Sequence, residues 1–133
     1  MTKRRLLPAT RKGVTHSVVI HDASGDMTIH IRVGFYDRPR GKVGEVFIEV
    51  GKQGSTLNGL LDVMGRLCSY ALQYGVPLAD LAPKLTGHQF PPSGLTSNPK
   101  IPHCSSLPDY VFRWLEMEFG NGPKPADATE AAA

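Results

Sequence analysis

The stretch Gly51-Lys52-Gln53-Gly54-Ser55-Thr56 gathers groups that could hold an anion. It lies where a β-branched run gives way to a helical pattern. The first N–H groups of a helix have no intrahelical partner, and the helix dipole favours negative charge there. Lys52 adds a full charge, and Ser55 and Thr56 add hydroxyls. The chemistry predicted is non-covalent binding of a phosphate or nucleotide by Lys52, Gly54, Ser55 and Thr56, with Arg66 and Arg113 as further cations on exposed helix faces. The spacing is not G-x-x-x-x-G-K-[ST], so this is not a P-loop. A capped strand-to-helix turn, with glycine supplying a positive φ, accounts for the same residues.

Other chemistry-bearing residues carry weaker signals. His88, His103 and Cys104 could suggest a metal, but adjacent His103 and Cys104 chelate poorly and no fourth ligand is evident. No metal and no C-x-x-C redox pair is expected. Cys68 sits in an apolar helical pattern and reads as a buried thiol. Phe90, Tyr110, Phe112 and Trp114 could stack a base. Helical spacing instead sends Tyr110, Val111 and Trp114 inward, with Phe112 and Arg113 outward. His16, His21 and His30 are expected on the wet faces of strands. Asp62, Asp80 and Asp109 are spaced as helix-surface and capping residues. No nucleophile–base arrangement stands out, so no catalytic residue is assigned.

The charge is unevenly placed. The chain has 133 residues and a formal net charge of +3, yet Lys3, Arg4, Arg5, Arg11 and Lys12 stand without an acid in the first twelve positions. The rest of the chain is slightly acidic. Residues 1–13 therefore read as an extended basic arm able to meet nucleic acid, a nucleotide or an acidic protein surface. Arg4, Arg5 and Arg11, with His88 and Phe90 of a later loop, are the candidate partner contacts. At 41% hydrophobic and 20% charged residues, the composition is that of one soluble globular domain. No apolar run approaches the ~20 residues of a membrane span, and no signal peptide is visible, so a cytoplasmic protein is expected.

The elements that would position these residues follow from period. Residues 14–20, 27–36 and 43–50 read as three strands joined by short turns, an antiparallel meander. In the second, Met27, Ile29, Ile31, Val33 and Phe35 share one face. In the third, Val46, Ile48 and Val50 alternate against Glu45, Phe47 and Glu49. The period then lengthens. Leu57, Leu60, Leu61, Met64, Leu67, Cys68, Ala71 and Leu72 mark a long amphipathic helix capped by Ser55 or Thr56 and stopped by Gly75 and Pro77. Residues 77–85 give a short second helix. Residues 86–104 are broken by proline and glycine and read as a long irregular loop. Ser106 caps a last helix, and the tail from Gly120 is expected to be disordered. The fold class is α+β, a small antiparallel sheet of about three strands packed against a long central helix and a C-terminal helix. The body spans 14–119. A sheet edge left open could let two chains associate.

Several stretches, taken together, resemble one family. They are Arg4 to His16 (R-R-x-L-P-x-x-R-x-x-x-T-H), Gly44 to Thr56 (G-E-x-F-I-x-x-x-K-x-G-S-T) and Ser69 to Leu78. Phe90 to Pro99 (F-x-P-S-G-x-T-x-N-P) and Asp109 to Leu115 (D-Y-x-F-R-W-L) complete the set. In this order they resemble the TSCPD domain, the C-terminal domain of adenosylcobalamin-dependent (class II) ribonucleoside-diphosphate reductases. The resemblance implies a link to deoxyribonucleotide synthesis and DNA replication, with a reductase catalytic chain as a possible partner. It does not bring catalysis. The family's enzymes use adenosylcobalamin within a large catalytic barrel, for which this chain has no room, so no cofactor is expected on it. Two functions remain open: a free-standing, non-catalytic binding or regulatory module that docks on a reductase or on itself, and a small nucleotide- or phosphate-binding protein. An enzyme in its own right ranks below both.

Overall fold

The computed structural model describes residues 3–51 and 55–120. Five strands form one antiparallel sheet in the order β3-β2-β1-β4-β5. They are β1 (Gly13–Asp22), β2 (Gly25–Phe35), β3 (Val43–Val50), β4 (Gly94–Thr96) and β5 (His103–Cys104). The helices are α1 (Thr56–Gln73), α2 (Leu78–Leu81) and α3 (Leu107–Phe119), with a 3-10 turn at Ala82–Leu85 after α2. Among the described residues no helix is long and apolar enough to cross a membrane.

The meander of β1 to β3 forms as its alternation predicts. Ile29, Ile31, Val33, Val46, Ile48 and Val50 are buried on the inner face, while Phe47 stands on the outer face, 41% exposed. The expectation of about three strands is corrected to five. Part of the segment read as an irregular loop extends the sheet, because Ile20 pairs with Thr96 and Gly94 with Cys104. Strands of three and two residues are too short to show a period. Strand β4 pairs with the free edge of β1 and β5 with β4, which no local pattern announces. Asp22 helps to hold this addition: its carboxylate accepts from the Ser24 hydroxyl at 2.6 Å and from the Ser93 N–H at 2.9 Å. These bonds, the Ser24 hydroxyl foremost, lower its pKa to about 2.

The long helix is not central. Instead α1 lies along the outer edge of β3 and satisfies that edge's backbone. Asn58 Oδ1 accepts from the Val50 N–H at 3.1 Å, and its Nδ2 donates to the Val50 carbonyl at 3.2 Å. Ser69 Oγ accepts from the Val46 N–H at 2.8 Å, and Gln73 Nε2 donates to the Gly44 carbonyl at 2.9 Å. Covering an edge with a helix removes a ready template for pairing with another chain, so the β3 edge of the sheet is closed. The apolar arc of α1 divides accordingly. Leu61, Cys68 and Leu72 are buried, whereas Leu60 and Leu67 are 63% and 67% exposed.

The central helix is α3. Leu107, Tyr110, Val111, Trp114, Leu115 and Phe119 are buried as their spacing predicts. Phe112, expected outward, is fully buried as well. Helix α3 is enclosed on more than one side, packing against α2, the 3-10 turn and β5. A helix surrounded by protein buries a wider arc than an amphipathic stripe. Ser106 caps it, accepting from the Asp109 N–H at 3.1 Å.

Candidate functional site

The strand-to-helix turn lies only partly within the described residues. Lys52 and Gly54 fall outside them, so that half of the predicted anion site has no structural account. Ser55 is the N-cap of α1, and its hydroxyl accepts from the Asn58 N–H at 3.0 Å. Thr56, the first helical residue, is exposed. A cavity of ≈470 Å³ adjoins this turn, between the first turns of α1 and the outer side of β3. Arg32, Phe47, Glu49, Ser55, Asn58 and Asp62 are among its lining residues. The Arg32 guanidinium stacks over the Phe47 ring at 5.0 Å. Among the described residues the lining holds one cation, Arg32, and two carboxylates, Glu49 and Asp62, a balance that does not by itself favour phosphate.

The two arginines offered as further cations do not join the turn. Arg66 sits farther along α1 and pairs with Asp62 at 3.0 Å. On α3, Arg113 donates to the His103 carbonyl at 2.8 Å and to Asp109 at 3.1 Å. Sequence reasoning missed Arg32 and Phe47. Their signal was present in the wet faces of β2 and β3, but it needed the register that sets them opposite one another.

The basic arm is strapped to the body. The Arg5 N–H donates to the Gln73 carbonyl at 2.8 Å, and the Tyr36 hydroxyl donates to the Arg5 carbonyl at 2.7 Å. Arg4 Nε donates to Gln73 Oε1 at 2.7 Å and its guanidinium lies over Tyr70. Arg5 lies over Tyr36 and pairs with Asp37 at 3.2 Å. Arg11 holds both carboxylate oxygens of Glu45, the Nη2–Oε1 bond being 2.9 Å, and this pairing raises its pKa. The three arginines read as partner contacts therefore all have partners within the chain.

His88 and Phe90 are exposed, and the Phe90 backbone is tied to the Ser105 carbonyl at 3.0 Å. His103 is exposed while Cys104 is buried, as adjacent strand residues must point to opposite faces. No group of three or more His, Cys, Asp or Glu able to hold a metal occurs among the described residues. His16 departs from expectation. It lies inward, stacked on Trp114 at 4.5 Å, rather than on a wet face. His30 does face outward, bonded to the Ser17 hydroxyl at 2.7 Å.

The family model of the TSCPD domain matches residues 2–119. The chain belongs to the TSCPD domain family. It is 40% identical over 131 residues to a vitamin B12-dependent ribonucleotide reductase of Rhodopirellula baltica, covering 98% of this chain and 12% of that protein. The enzyme of the same name from Streptomyces coelicolor is 40% identical over 116 residues, covering 87% of this chain and 11% of that protein. That of Agrobacterium fabrum is 31% identical over 118 residues, covering 88% of this chain and 9% of that protein. This TSCPD chain thus spans about a tenth of the length of the relatives it matches. No solved structure matches it.

The stretches that carry the family resemblance meet in the TSCPD fold as internal pairs. Arg11 of the first holds Glu45 of the second. Ser69 of the third holds the backbone of β3. His16 Nε2 hydrogen-bonds the Tyr110 hydroxyl at 2.7 Å, and Asn98 Nδ2 donates to the same oxygen at 3.0 Å. This last cluster makes the fold sensitive to pH. Burial lowers the His16 pKa below its ordinary 6.5, against a smaller opposing pull from Glu118. The unfolded chain then binds the proton more readily than the folded one. The His16 contribution to stability is therefore expected to be full above pH 6.5 and to fall as pH drops toward the lowered value. Thermal melts between pH 8 and 5 are expected to fall more steeply below pH 6.5 in the wild type than in His16→Gln. Parallel curves would show that His16 does not govern this window.

Adenosylcobalamin, which the family implies, does not fit the residues described. The grooves along them are open. One of ≈580 Å³, lined by Val43, Leu72, Leu78 and Phe119 among others, is drug-sized at most. A corrinoid with its nucleotide tail is larger, and no polar cluster there could orient it.

Proposed function

We propose that this TSCPD domain is a non-catalytic binding module that works with a ribonucleotide reductase catalytic chain. The observation that carries the reading is where the family's own residues go. Arg11, Glu45, Ser69, Asn98, Asp109 and Tyr110 are all engaged in holding the fold. A domain whose signature residues build a scaffold presents surfaces rather than reacting groups. The relatives support the same reading, since about nine-tenths of each reductase lies outside the match. The thiols agree with it. Burial pushes the Cys68 pKa up to about 12 and raises that of Cys104, and a thiol held protonated is a poor nucleophile.

The test is calorimetric titration of this chain into a vitamin B12-dependent ribonucleotide reductase from which its own TSCPD domain has been removed. Saturable binding is expected, together with no reduction of ribonucleotides by this chain alone. Absence of binding would sink the proposal, and unaided turnover would replace it with an enzyme. A thermal-shift panel of nucleoside di- and triphosphates addresses nucleotide binding at the α1 turn. No rise in Tm is expected; a ligand that binds only the native state would raise it, so a rise would favour nucleotide binding instead.

A further inference from the structure

Part of the apolar surface of α1 faces solvent. Leu60, Val63, Leu67 and Tyr70 are 63%, 52%, 67% and 50% exposed. They follow one another by three, four and three residues, and Tyr74 follows by four. This is the a/d rhythm of a helix–helix seam. It runs on the side turned away from buried Leu61, Gly65, Cys68 and Leu72. Helix α1 packs on β3 at the rim of the sheet, which leaves its outer side open along Leu60, Val63 and Leu67, while the Arg4 guanidinium lies over Tyr70 at the far end. A contiguous apolar stripe of this kind marks an interaction surface.

We propose that the seam is the contact of a two-fold dimer, in which α1 of a second copy runs antiparallel along it. A two-fold contact must be self-complementary, and this seam is. About an axis near Gly65, Leu60 lies opposite Tyr70 of the second copy, and Val63 lies opposite its Leu67. The flanking charges suit this direction. Asp62 and Arg66 already pair on the helix surface. Antiparallel pairing also brings each Arg66 within about one helical turn, ~5 Å, of Asp62 on the other copy, whereas parallel pairing sets like charges at the same level. The size is modest. A helix of 18 residues is ~27 Å long, so the seam with its rim reaches at most the ~800 Å² per partner of a standard interface. Area alone does not set affinity, and an interface of this modest size is expected to be weak and concentration-dependent.

Sedimentation velocity on the full chain from ~10 to ~500 μM reads this directly, because a weak dimer dissociates across such a range. The wild type is expected to shift from monomer to dimer. Leu67→Glu is expected to stay monomeric throughout, with its far-UV spectrum unchanged because the residue is exposed. The Val63→Cys/Leu67→Cys variant is expected to form a covalent dimer on mild oxidation, since the two positions face each other across the axis. The native thiols are buried and do not compete. A wild type that remains monomeric, or a dimer that survives Leu67→Glu, overturns the proposal. Should the wild type be monomeric while Leu67→Glu abolishes binding to a reductase catalytic chain, the seam belongs to that partner. The dimer then fails and the binding module stands.

Discussion

Asp109→Asn is expected to lower the unfolding free energy by ~3 kcal/mol at pH 7, as the loss of two or three buried hydrogen bonds would. Asp109 is 4% exposed. One carboxylate oxygen accepts from the Gly87 N–H at 2.8 Å, and the other from the Ser105 N–H at 3.0 Å and from Arg113 at 3.1 Å. The single side chain therefore anchors both ends of the 87–105 segment to the start of α3. Asparagine keeps the shape but sets an NH₂ donor against these donors and removes the charge beside Arg113. Burial by itself raises the Asp109 pKa, but the Ser105 and Gly87 N–H groups and the Arg113 guanidinium outweigh it, so the net shift is downward. A depressed carboxylate contributes stability above its unfolded value of 3.8, and the contribution is lost as pH falls through the folded value. Acid should thus take from the wild type what the substitution removes at neutrality. Urea melts of both proteins at pH 7 and pH 3 check this, with the gap between them narrowing in acid. An unchanged midpoint at pH 7 would mean that the segment is held by other contacts.

Gly65→Val is expected to destabilise by ~2–4 kcal/mol, the range for forcing extra atoms into a packed contact and stretching nearby hydrogen bonds. Propensity alone argues the opposite, since a mid-helix glycine is ~1 kcal/mol worse than alanine. Contact decides the sign. A Cβ at Gly65 would sit 2.9 Å from the Val46 carbonyl oxygen, a backbone atom of β3 that cannot swing aside. The helix would lift from the edge and strain the bonds made by Asn58 and Ser69. Gly59→Ala is the control. That position is exposed and a Cβ there meets nothing within 4 Å, so the same helix should gain ~0.5–1 kcal/mol from it. Chemical denaturation of the two variants separates contact from propensity. Equal effects at both sites would refute the close approach of α1 to β3.

The fold was legible wherever the signal was local. Alternation along residues 27–35 and 43–50 placed the inner and outer faces of two strands, but it sent Tyr36 to the wet face, where the structure buries it with its hydroxyl on the Arg5 carbonyl. Ser55, Ser106 and Gly75 marked helix ends because capping chemistry is confined to a few neighbouring residues. What failed depended on neighbours distant in sequence. Strand β4 owes its existence to the edge of β1, and β5 to β4. His16 was read as wet because its strand neighbours are polar, yet Trp114, far along the chain, covers it. Phe112 was sent outward by a rule for one-sided helices that α3 does not obey.

The site was less legible than the fold. Arg4, Arg5 and Arg11 looked like a free basic arm because composition counts charges and not their partners. Gln73, Asp37 and Glu45, which bind them, are remote in sequence. Arg32 and Phe47 became neighbours only through strand register. In α1, the apolar period is real all along the helix. It could not tell which half meets the core, since a wide apolar arc reads the same whether protein or solvent lies against it.

The order of residues by itself determined the α+β class, the three long strands, the two long helices with their caps, and membership in the TSCPD family. Each is written in spacing that a short window holds. Only the folded chain decided that α1 guards an edge, that α3 is the core helix, and that Arg5 and Arg11 of the arm meet carboxylates of the body. Those outcomes are set by which surfaces meet. Contact between distant segments follows from the joint packing of the whole chain, which no window of sequence contains.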